Sequence, residues 1–217
     1  DGSVIGWRIG AEPAPPELRG AWDVIVHTAA STRWTMSRAE AETTNVTPVR
    51  SVLELATPDT HLVHVSTAYV GGERAEDDGA EEFDGYRNGY EWSKAVGESL
   101  AVDRHPGPLT VVRPPLILGR RGDGAIARFS GPYTLLQSLV SGLAAVVAGD
   151  PAGYAEIAPV DQVAEVIVGA ALGAPPGRPV VEVVAGGEQS LRLATLVEVT
   201  CRELNEWRAG HGAAPIE

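Results

Sequence analysis

The chain has 217 residues, of which 44% are hydrophobic, so it can bury the core of one globular domain. Its formal net charge of -12, with 29 acidic against 17 basic residues and no cluster of Lys and Arg, argues against nucleic acid as a partner. The single cysteine, Cys201, excludes a disulfide framework and a Cys/His zinc site, and we expect no metal. The chain also lacks an apolar run of membrane-spanning length, so we expect a soluble cytoplasmic protein without a membrane partner.

Short β-branched runs alternate along the chain with longer segments of helical spacing. In chain order the predicted elements are strands at 4–9 and 23–27, a helix at 41–56, a strand at 61–65, a helix at 90–103, a strand at 109–112, helices at 132–147 and 160–172, a strand at 180–184 and a helix at 191–208. Several of the strands are apolar at consecutive positions, which is typical of strands buried on both faces. This alternation predicts an α/β fold with a parallel sheet and helices packed on its faces.

The residues that directly follow the predicted strands are the first candidates for a binding site. Ligands of open parallel sheets bind beyond the carboxyl ends of the strands. The second strand is followed by Ala29 and Ala30, whose small side chains permit a flat ligand to approach the backbone. The third is followed by Ser66 and Thr67, and the fourth by Pro114. We therefore expect these residues to share one edge of the sheet.

Tyr90 and Lys94 form the most specific local signal. They are four residues apart on a predicted helix, so both side chains lie on one face. A phenol has a pKa of about 10 in water, and a fixed cation nearby favours the phenolate and lowers that pKa toward the range useful for proton transfer. The alternative for this pair alone is a solvated lysine beside a partly buried tyrosine. Thr67, which lies 23 residues before Tyr90 at a strand end, makes the combination more specific.

Five stretches carry a family resemblance, in family order: DVIVHTAAS at 23–31, NVTPVRSVLELA at 45–56, HLVHVSTAYVGG at 61–72, YEWSKAVGE at 90–98 and LTVVRPPLILG at 109–119. Together they resemble the extended short-chain dehydrogenase/reductases, and their residue sequences are most similar to the branch of thioester reductase domains and fatty acyl-CoA reductases. The resemblance implies a Rossmann-like doubly wound parallel sheet. It also implies that residues 1–217 are a single, incomplete NAD(P)-binding domain, with small substrate-side elements at about 120–158 and 185–217.

The same resemblance implies roles for individual residues. Thr67, Tyr90 and Lys94 would be the catalytic set, with Tyr90 as proton donor, Thr67 holding the substrate oxygen and Lys94 also holding the ribose of NADP or NAD. Asn45 would support an active-site water or the ribose. The remaining cofactor contacts would be Ala29 and Ala30 on the adenosine side and Pro114 facing the nicotinamide.

Two further features bear on the site. Pro48 lies inside a helical pattern, where it should bend the helix and expose Asn45 toward the site; the alternative is that Asn45 is a helix cap. His64 should lie on the same strand face as Ser66, and we interpret it as a core histidine with satisfied hydrogen bonds.

The chain departs from the family at its start, where no glycine-rich turn precedes a helix. Such a turn lets the backbone reach the pyrophosphate at a helix N-terminus, so we expect this chain to hold NADP or NAD weakly. We expect that the N-terminal strands of the family are missing from this chain. The alternatives are that residues 4–9 pair with 23–27, or that a partner chain completes the sheet.

Three functions stay open at this point. The first is NAD(P)H-dependent reduction of a small-molecule carbonyl or of an acyl thioester bound to CoA or a carrier protein. The second is a non-redox role on the same fold, as a scaffold or in cyclisation. The third is a nucleotide-sugar epimerase or dehydratase. For the reductase, we expect the helix after Gly131 to line an acyl pocket that opens beside Thr67 and Tyr90.

Overall fold

The computed structural model describes residues 2–71, 82–129, 131–141, 149–184 and 187–215. In chain order the strands and helices are β1 (Val24–His27), α1 (Arg38–Ala41), a π-helical turn (Glu42–Val46), α2 (Thr47–Leu53), β2 (His61–Val65), α3 (Gly89–Arg104), β3 (Leu109–Arg113), β4 (Leu116–Leu118), α4 (Pro132–Val140), β5 (Tyr154–Ala155), β6 (Ile157–Pro159), α5 (Val160–Leu172), β7 (Val180–Val183), β8 (Leu191–Arg192) and α6 (Leu193–Gly210). Short 3-10 turns lie at Pro16–Leu18, Ala68–Gly71 and Gly187–Gln189.

Four parallel strands form the main sheet in the order β1-β2-β3-β7. Helices lie between successive strands, as right-handed crossover connections of parallel sheets require. The α/β fold predicted from the alternation of elements is therefore confirmed, as is the Rossmann-like sheet that the resemblance implied. Among the described residues β1 pairs only with β2, so its other side is one edge of this sheet.

Apolar residues at alternate strand positions bind the sheet to the helices on one face. Leu62 of β2 lies opposite Leu109 of β3, and both belong to a buried cluster with Val52 of α2 and Ala101 of α3. Thr110 points to the opposite face because side chains alternate along a strand, and there it lies beside the α5 residue Val166. Helices thus cover both faces of the sheet.

Burial differs between the inner and the outer strands. β2 and β3 are buried nearly throughout, as the continuous apolar runs predicted. All four residues of β7 are exposed, and Val26 of β1 is 42% exposed. The expectation of burial on both faces is therefore right for the two inner strands only. Among the described residues, each outer strand pairs with a single neighbouring strand.

Several predicted elements differ from the structure. Residues 4–9 form no strand; Ile9 makes a single bridge with Glu12, and the proposed pairing of 4–9 with 23–27 does not occur. The predicted helix at 41–56 consists of α1, the π-helical turn and α2. Leu191 and Arg192 are a short strand rather than the start of α6. Residues 142–147 of the predicted helix 132–147 lie outside the described part of the chain.

Helix α3 begins and ends where its sequence dictates. The Asn88 side chain caps its first turn by accepting a hydrogen bond of 3.0 Å from the Glu91 amide. The helix ends at Arg104, because His105 is extended and precedes Pro106. The cap fixes the first turn of the helix that carries Tyr90 and Lys94.

The chain divides into two compact units, Asp1–Pro114 with Ala164–Val184, and Pro115–Val163 with Ala185–Glu217. The first contains the four-stranded sheet. The second contains the parallel pair β4–β6, the antiparallel pair β5–β8, and helices α4 and α6. That residues 1–217 form a single incomplete domain with substrate-side elements stays a prediction.

Candidate active site

The loops that follow β2 and β3 are joined at the carboxyl edge of the sheet. The Ala68 amide donates to the Pro114 carbonyl at 2.9 Å, and the Thr67 hydroxyl lies 3.5 Å from the same oxygen. Thr67 is buried, with 2% of its surface exposed. The structure thus brings together two of the residues predicted for one edge of the sheet.

Tyr90 lies in the first turn of α3, and its half-buried phenol is close enough to the Thr67 side chain for that side chain to affect its pKa. Burial raises the pKa of Tyr90 above its usual value, and the Thr67 side chain acts in the opposite direction. Lys94 is not among the causes of this shift. The pKa of Tyr90 is therefore raised rather than lowered, because burial outweighs the other effects, and the role of Lys94 in favouring the phenolate stays a prediction.

Lys94 lies one turn after Tyr90 and is 7% exposed. Its ammonium donates a hydrogen bond of 2.6 Å to the carbonyl of Val65, the last residue of β2. Burial lowers the pKa of Lys94 to about 8, while the Glu98 carboxylate acts to raise it. The Lys94 ammonium is therefore held by a hydrogen bond at the end of β2, two residues before Thr67.

Asn45 lies in the π-helical turn and is 2% exposed. Its Oδ1 accepts from the Ser31 amide at 2.7 Å, and its Nδ2 donates to the Ser31 carbonyl at 3.0 Å and to the Ser93 Oγ at 2.9 Å. Ser93 in turn donates to the Tyr90 carbonyl at 2.9 Å. Asn45 is therefore neither exposed nor a helix cap: it links the loop after β1 to the first turn of α3.

Pro48 explains the π-helical turn. Proline has no amide hydrogen, so the helical bond to the Thr44 carbonyl is missing. The chain widens by one residue instead, and the Thr47 amide donates to the Glu42 carbonyl. The prediction of a disturbance at Pro48 is confirmed, and the prediction that it turns Asn45 toward the active site stays a prediction.

Ala29 and Ala30 follow β1 at the same edge of the sheet. Ala29 is exposed and Ala30 is half-buried. Their methyl groups leave the backbone accessible, which is compatible with an approaching planar ligand. Their contacts with a cofactor, like that of Pro114, stay a prediction.

Two buried histidines lie beside Lys94 and were not predicted as part of the site. The rings of His27 and His64 are 5.4 Å apart, and each is at least 96% buried. Burial, with a smaller effect of Lys94, lowers the pKa of His27 to about 4 and that of His64 well below its usual value. The Ser66 hydroxyl and both ring nitrogens of His64 have no hydrogen-bond partner in the described part of the chain. His64 is buried as predicted, but its hydrogen bonds are not satisfied.

Sequence reasoning also missed the ion pair between Glu98 and Arg113. Glu98 is 8% exposed and accepts hydrogen bonds from two nitrogens of Arg113, the last residue of β3. A compositional signal was available: Lys94 is the one lysine in the chain, and the other 16 basic residues are arginines. Glu98 lies four positions after that lysine, on the same helix face, and this spacing can be read in the sequence.

The predicted acyl pocket concerns the second unit. Residues 132–140 form α4 as expected, and the Tyr133 hydroxyl accepts from the Gly119 amide at 2.7 Å. The side chains of Leu135 and Leu139 lie outside the description, and the pocket beside Thr67 and Tyr90 stays a prediction.

A metal-binding cluster and a membrane-spanning helix are both absent from the described residues. No group of three or more His, Cys, Asp or Glu side chains there is arranged to hold a metal ion. No helix in the same part of the chain combines the length and apolarity needed to cross a membrane.

An NAD-binding family model described as "Male sterility protein" matches residues 13–167, which is well over half of the chain. This match confirms the family resemblance inferred from the motifs. No curated protein matches the sequence.

Solved structures of similar fold include reductase domains. The terminal R domain from the myxalamid PKS-NRPS biosynthetic pathway aligns with a TM-score of 0.68 and 23% identity, over 88% of this chain and 51% of that one. A thiolation-reductase di-domain from an archaeal non-ribosomal peptide synthetase aligns with a TM-score of 0.65 and 18% identity, over 90% and 54%. The chain therefore spans about half the length of these two structures.

A third similar structure contains a cofactor. RMD from Pseudomonas aeruginosa, complexed with NADPH, aligns with a TM-score of 0.57 and 20% identity, over 87% of this chain and 68% of that one. Because the three identities are low, these alignments show that the fold is similar.

Proposed function

Because the chain belongs to the NAD-binding family described as male sterility protein, we propose that it is an NAD(P)H-dependent reductase of acyl thioesters carried by CoA or by a carrier protein. The observation that carries the proposal is the closeness of the half-buried Tyr90 phenol to the buried Thr67 side chain, with Lys94 one helical turn after Tyr90 and bonded to the Val65 carbonyl at the end of β2. These groups lie where parallel sheets bind ligands, beyond the carboxyl end of β2.

Tyr90 is the proton donor of this reaction. Its raised pKa keeps the phenol protonated at neutral pH, as an acid must be before it acts. Thr67 holds the substrate oxygen next to that phenol. Lys94, a nearby cation, stabilises the phenolate that forms once the proton has left.

The residues fit the nicotinamide end of a dinucleotide better than its pyrophosphate. Lys94 would hold the ribose, Pro114 would face the nicotinamide, and Ala29 and Ala30 would line the adenosine side. Residues 2–23 contain one helical segment, the 3-10 turn Pro16–Leu18, which is too short to bind a pyrophosphate at its N-terminus. NAD(P)H supplies a hydride in this reaction.

The reduction balances with one hydride and one proton. The carbonyl carbon of the thioester gains the hydride, and its oxygen takes the Tyr90 proton. The resulting thiohemiacetal expels the thiol of CoA or of the carrier and leaves an aldehyde. A second equivalent of hydride and proton converts the aldehyde to an alcohol.

The test is an assay of NADPH and NADH consumption with acyl-CoA, with an acyl group on a phosphopantetheine carrier, and with UDP-sugars. The protein is used with any further segment its native gene encodes. Consumption of reduced cofactor together with aldehyde or alcohol release supports the proposal. Interconversion of UDP-sugars would establish an epimerase instead, and the absence of turnover with any of these substrates favours the non-redox role.

A further inference from the structure

Two polar side chains at the carboxyl end of β2 are buried without a protein partner. His64 is 1% exposed and Ser66 is 3% exposed. Neither ring nitrogen of His64 nor the hydroxyl of Ser66 has a hydrogen-bond partner among the described residues. Buried polar atoms in native proteins bond to ordered water when no protein group is within reach, because leaving them unbonded costs free energy. The three atoms therefore point to a bound ligand.

The side chains of His64 and Ser66 lie on one face of the sheet. The Ser66 amide donates to the Val112 carbonyl at 2.7 Å, so the pairing of β2 with β3 continues through this residue. Residues two positions apart along a strand share a face, and their Cα atoms are about 6–7 Å apart. A small molecule between the two side chains can therefore reach both.

No change of tautomer or charge satisfies His64. A neutral imidazole has one donor and one acceptor nitrogen, and a protonated imidazole has two donors, so every state needs two partners. The neutral state is favoured, because burial, with smaller effects of Lys94 and His27, holds the pKa of His64 well below its usual value. The ring thus needs one donor and one acceptor from its surroundings. Water can act as either.

Gly97 of α3 faces the His64 ring. A Cβ at Gly97 would lie 3.9 Å from Nε2 of His64 and 3.1 Å from Cγ2 of Val49, and glycine places no side chain there. The ring also lies beside His27, with the two ring centroids 5.4 Å apart, and beside Val111 of β3. None of these neighbours bonds to the ring. A molecule as small as water fits this position best, because the helix approaches the strand closely.

We propose that His64 and Ser66 form an internal hydration site, in which buried water joins the ring nitrogens of His64 to the Ser66 hydroxyl between β2 and α3. A buried water makes about three hydrogen bonds, and these polar atoms can provide them. Val65, whose carbonyl accepts from Lys94 at 2.6 Å, lies between the two residues in the chain. The site therefore adjoins the strand end that leads to Thr67, and its existence is independent of the proposed reaction.

A high-resolution crystal structure of the 217-residue chain tests the site directly. We expect ordered water density within about 2.7–3.2 Å of a His64 ring nitrogen and of the Ser66 hydroxyl. Well-ordered side chains without density beside them overturn the proposal. A metal ion or a protein atom bonded in that place overturns it as well.

NMR of the chain labelled with 15N-histidine tests the site in solution. The chain has five histidines, and the ring signals of His64 are identified by their loss in His64→Phe, which keeps a planar ring. We expect the ring N–H of His64 to show a nuclear Overhauser effect with water. Its sign in the rotating frame distinguishes a bound molecule from proton exchange. A His64 ring without this contact overturns the proposal.

Two serine variants complete the design. Ser66→Ala removes one partner of the water, so we expect the Overhauser effect between His64 and water to weaken about twofold or more. Ser141→Ala removes an exposed hydroxyl that donates to the Gln137 carbonyl and should leave the effect unchanged. If Ser66→Ala does not fold, the crystallographic density beside the wild-type Ser66 decides. An equal effect in Ser66→Ala and the wild type shows that no water joins the two residues and overturns the proposal.

Discussion

At the scale of single residues, the site depends on how burial treats each ionisable side chain. The same loss of solvent raises the pKa of Tyr90 and lowers that of Lys94. Both shifts favour the neutral form, so the pair begins as a protonated phenol beside a lysine close to its titration point. This state suits a proton donor, although the i,i+4 spacing predicted a phenol with a lowered pKa.

Tyr90→Phe tests the donor. It keeps the ring but removes the acid, so we expect turnover to fall by about 10²-fold or more. We also expect the free energy of unfolding to be nearly unchanged, because the ring packing is kept. Steady-state reduction of an acyl thioester and urea unfolding measure the two effects. The control is Thr43→Val, which removes an exposed hydroxyl from the π-helical turn after α1. Wild-type turnover in Tyr90→Phe would remove Tyr90 from the mechanism.

At the scale of elements, close packing positions the start of α3. A Cβ at Gly89 would lie 2.6 Å from the Met36 carbonyl oxygen, which is a backbone atom and cannot move aside cheaply. Gly89 directly precedes Tyr90, so this close packing positions the first turn of α3, which bears Tyr90. A glycine in another helix, Gly169 of α5, has open space around the corresponding position.

These two glycines provide a matched pair of variants. We expect Gly89→Ala to lower the free energy of unfolding by about 1–3 kcal/mol, the range for overpacking. We expect Gly169→Ala to raise it by about 0.5–1 kcal/mol, because alanine is the better helix former. Chemical denaturation of both variants beside the wild type is the measurement. A stabilised Gly89→Ala would show that the first turn of α3 is not held against Met36.

The buried histidines of β1 and β2 make the sheet sensitive to acid. Each has a pKa near 6.5 when unfolded, whereas in the fold that of His27 is about 4 and that of His64 is well lowered. Between these values the unfolded chain binds protons that the folded chain does not, so stability is complete above pH 6.5 and is lost as the pH falls toward 4.

Between pH 6.5 and 5 we expect His27 alone to lower the free energy of unfolding by about 1.5 kcal/mol, and His64 to add to this loss. Urea unfolding at several pH values measures it. His64→Gln should reduce the slope, while His211→Gln, at the exposed end of α6, should not. A slope that is the same in wild type and His64→Gln would mean that His64 is protonated in the folded protein.

At the scale of the whole molecule, the residues proposed for the nicotinamide end of a dinucleotide site are present, but the sequence has no glycine-rich turn before a helix that could cradle the pyrophosphate. We therefore expect the 217-residue chain to bind NADPH weakly, with a Kd well above the micromolar range. Calorimetric titration measures it. Micromolar affinity would show that another part of this chain, such as the loop at Gly10, binds the phosphates.

The unpaired side of β1 also bears on how this chain binds NADPH. Among the described residues this strand is paired on one side only, and its Val26 is 42% exposed. We propose that a further segment or a partner chain adds strands there. Such an addition should raise the affinity for NADPH, because the carboxyl end of an added strand is where the phosphate cradle forms.

The sequence by itself determined the inner strands, the helix that bears Tyr90 and Lys94, and the placement of Thr67 at a strand end. These follow from periodicity and from local signals such as Asn88, whose physical basis lies within a few residues. The same local reasoning failed at residues 4–9, where an apolar run found no partner strand, since pairing is a tertiary property.

Only the tertiary structure decided the charge states. The direction of the Tyr90 pKa shift, the neutral histidines and the pair of Glu98 with Arg113 depend on burial and on contacts between residues distant in the chain. Asn45 shows the same limit: Pro48 predicted a disturbance in its helix, but the direction in which the amide turned was set by Ser31 and Ser93. Electrostatic energies vary with the surrounding dielectric, which spacing along a sequence does not contain.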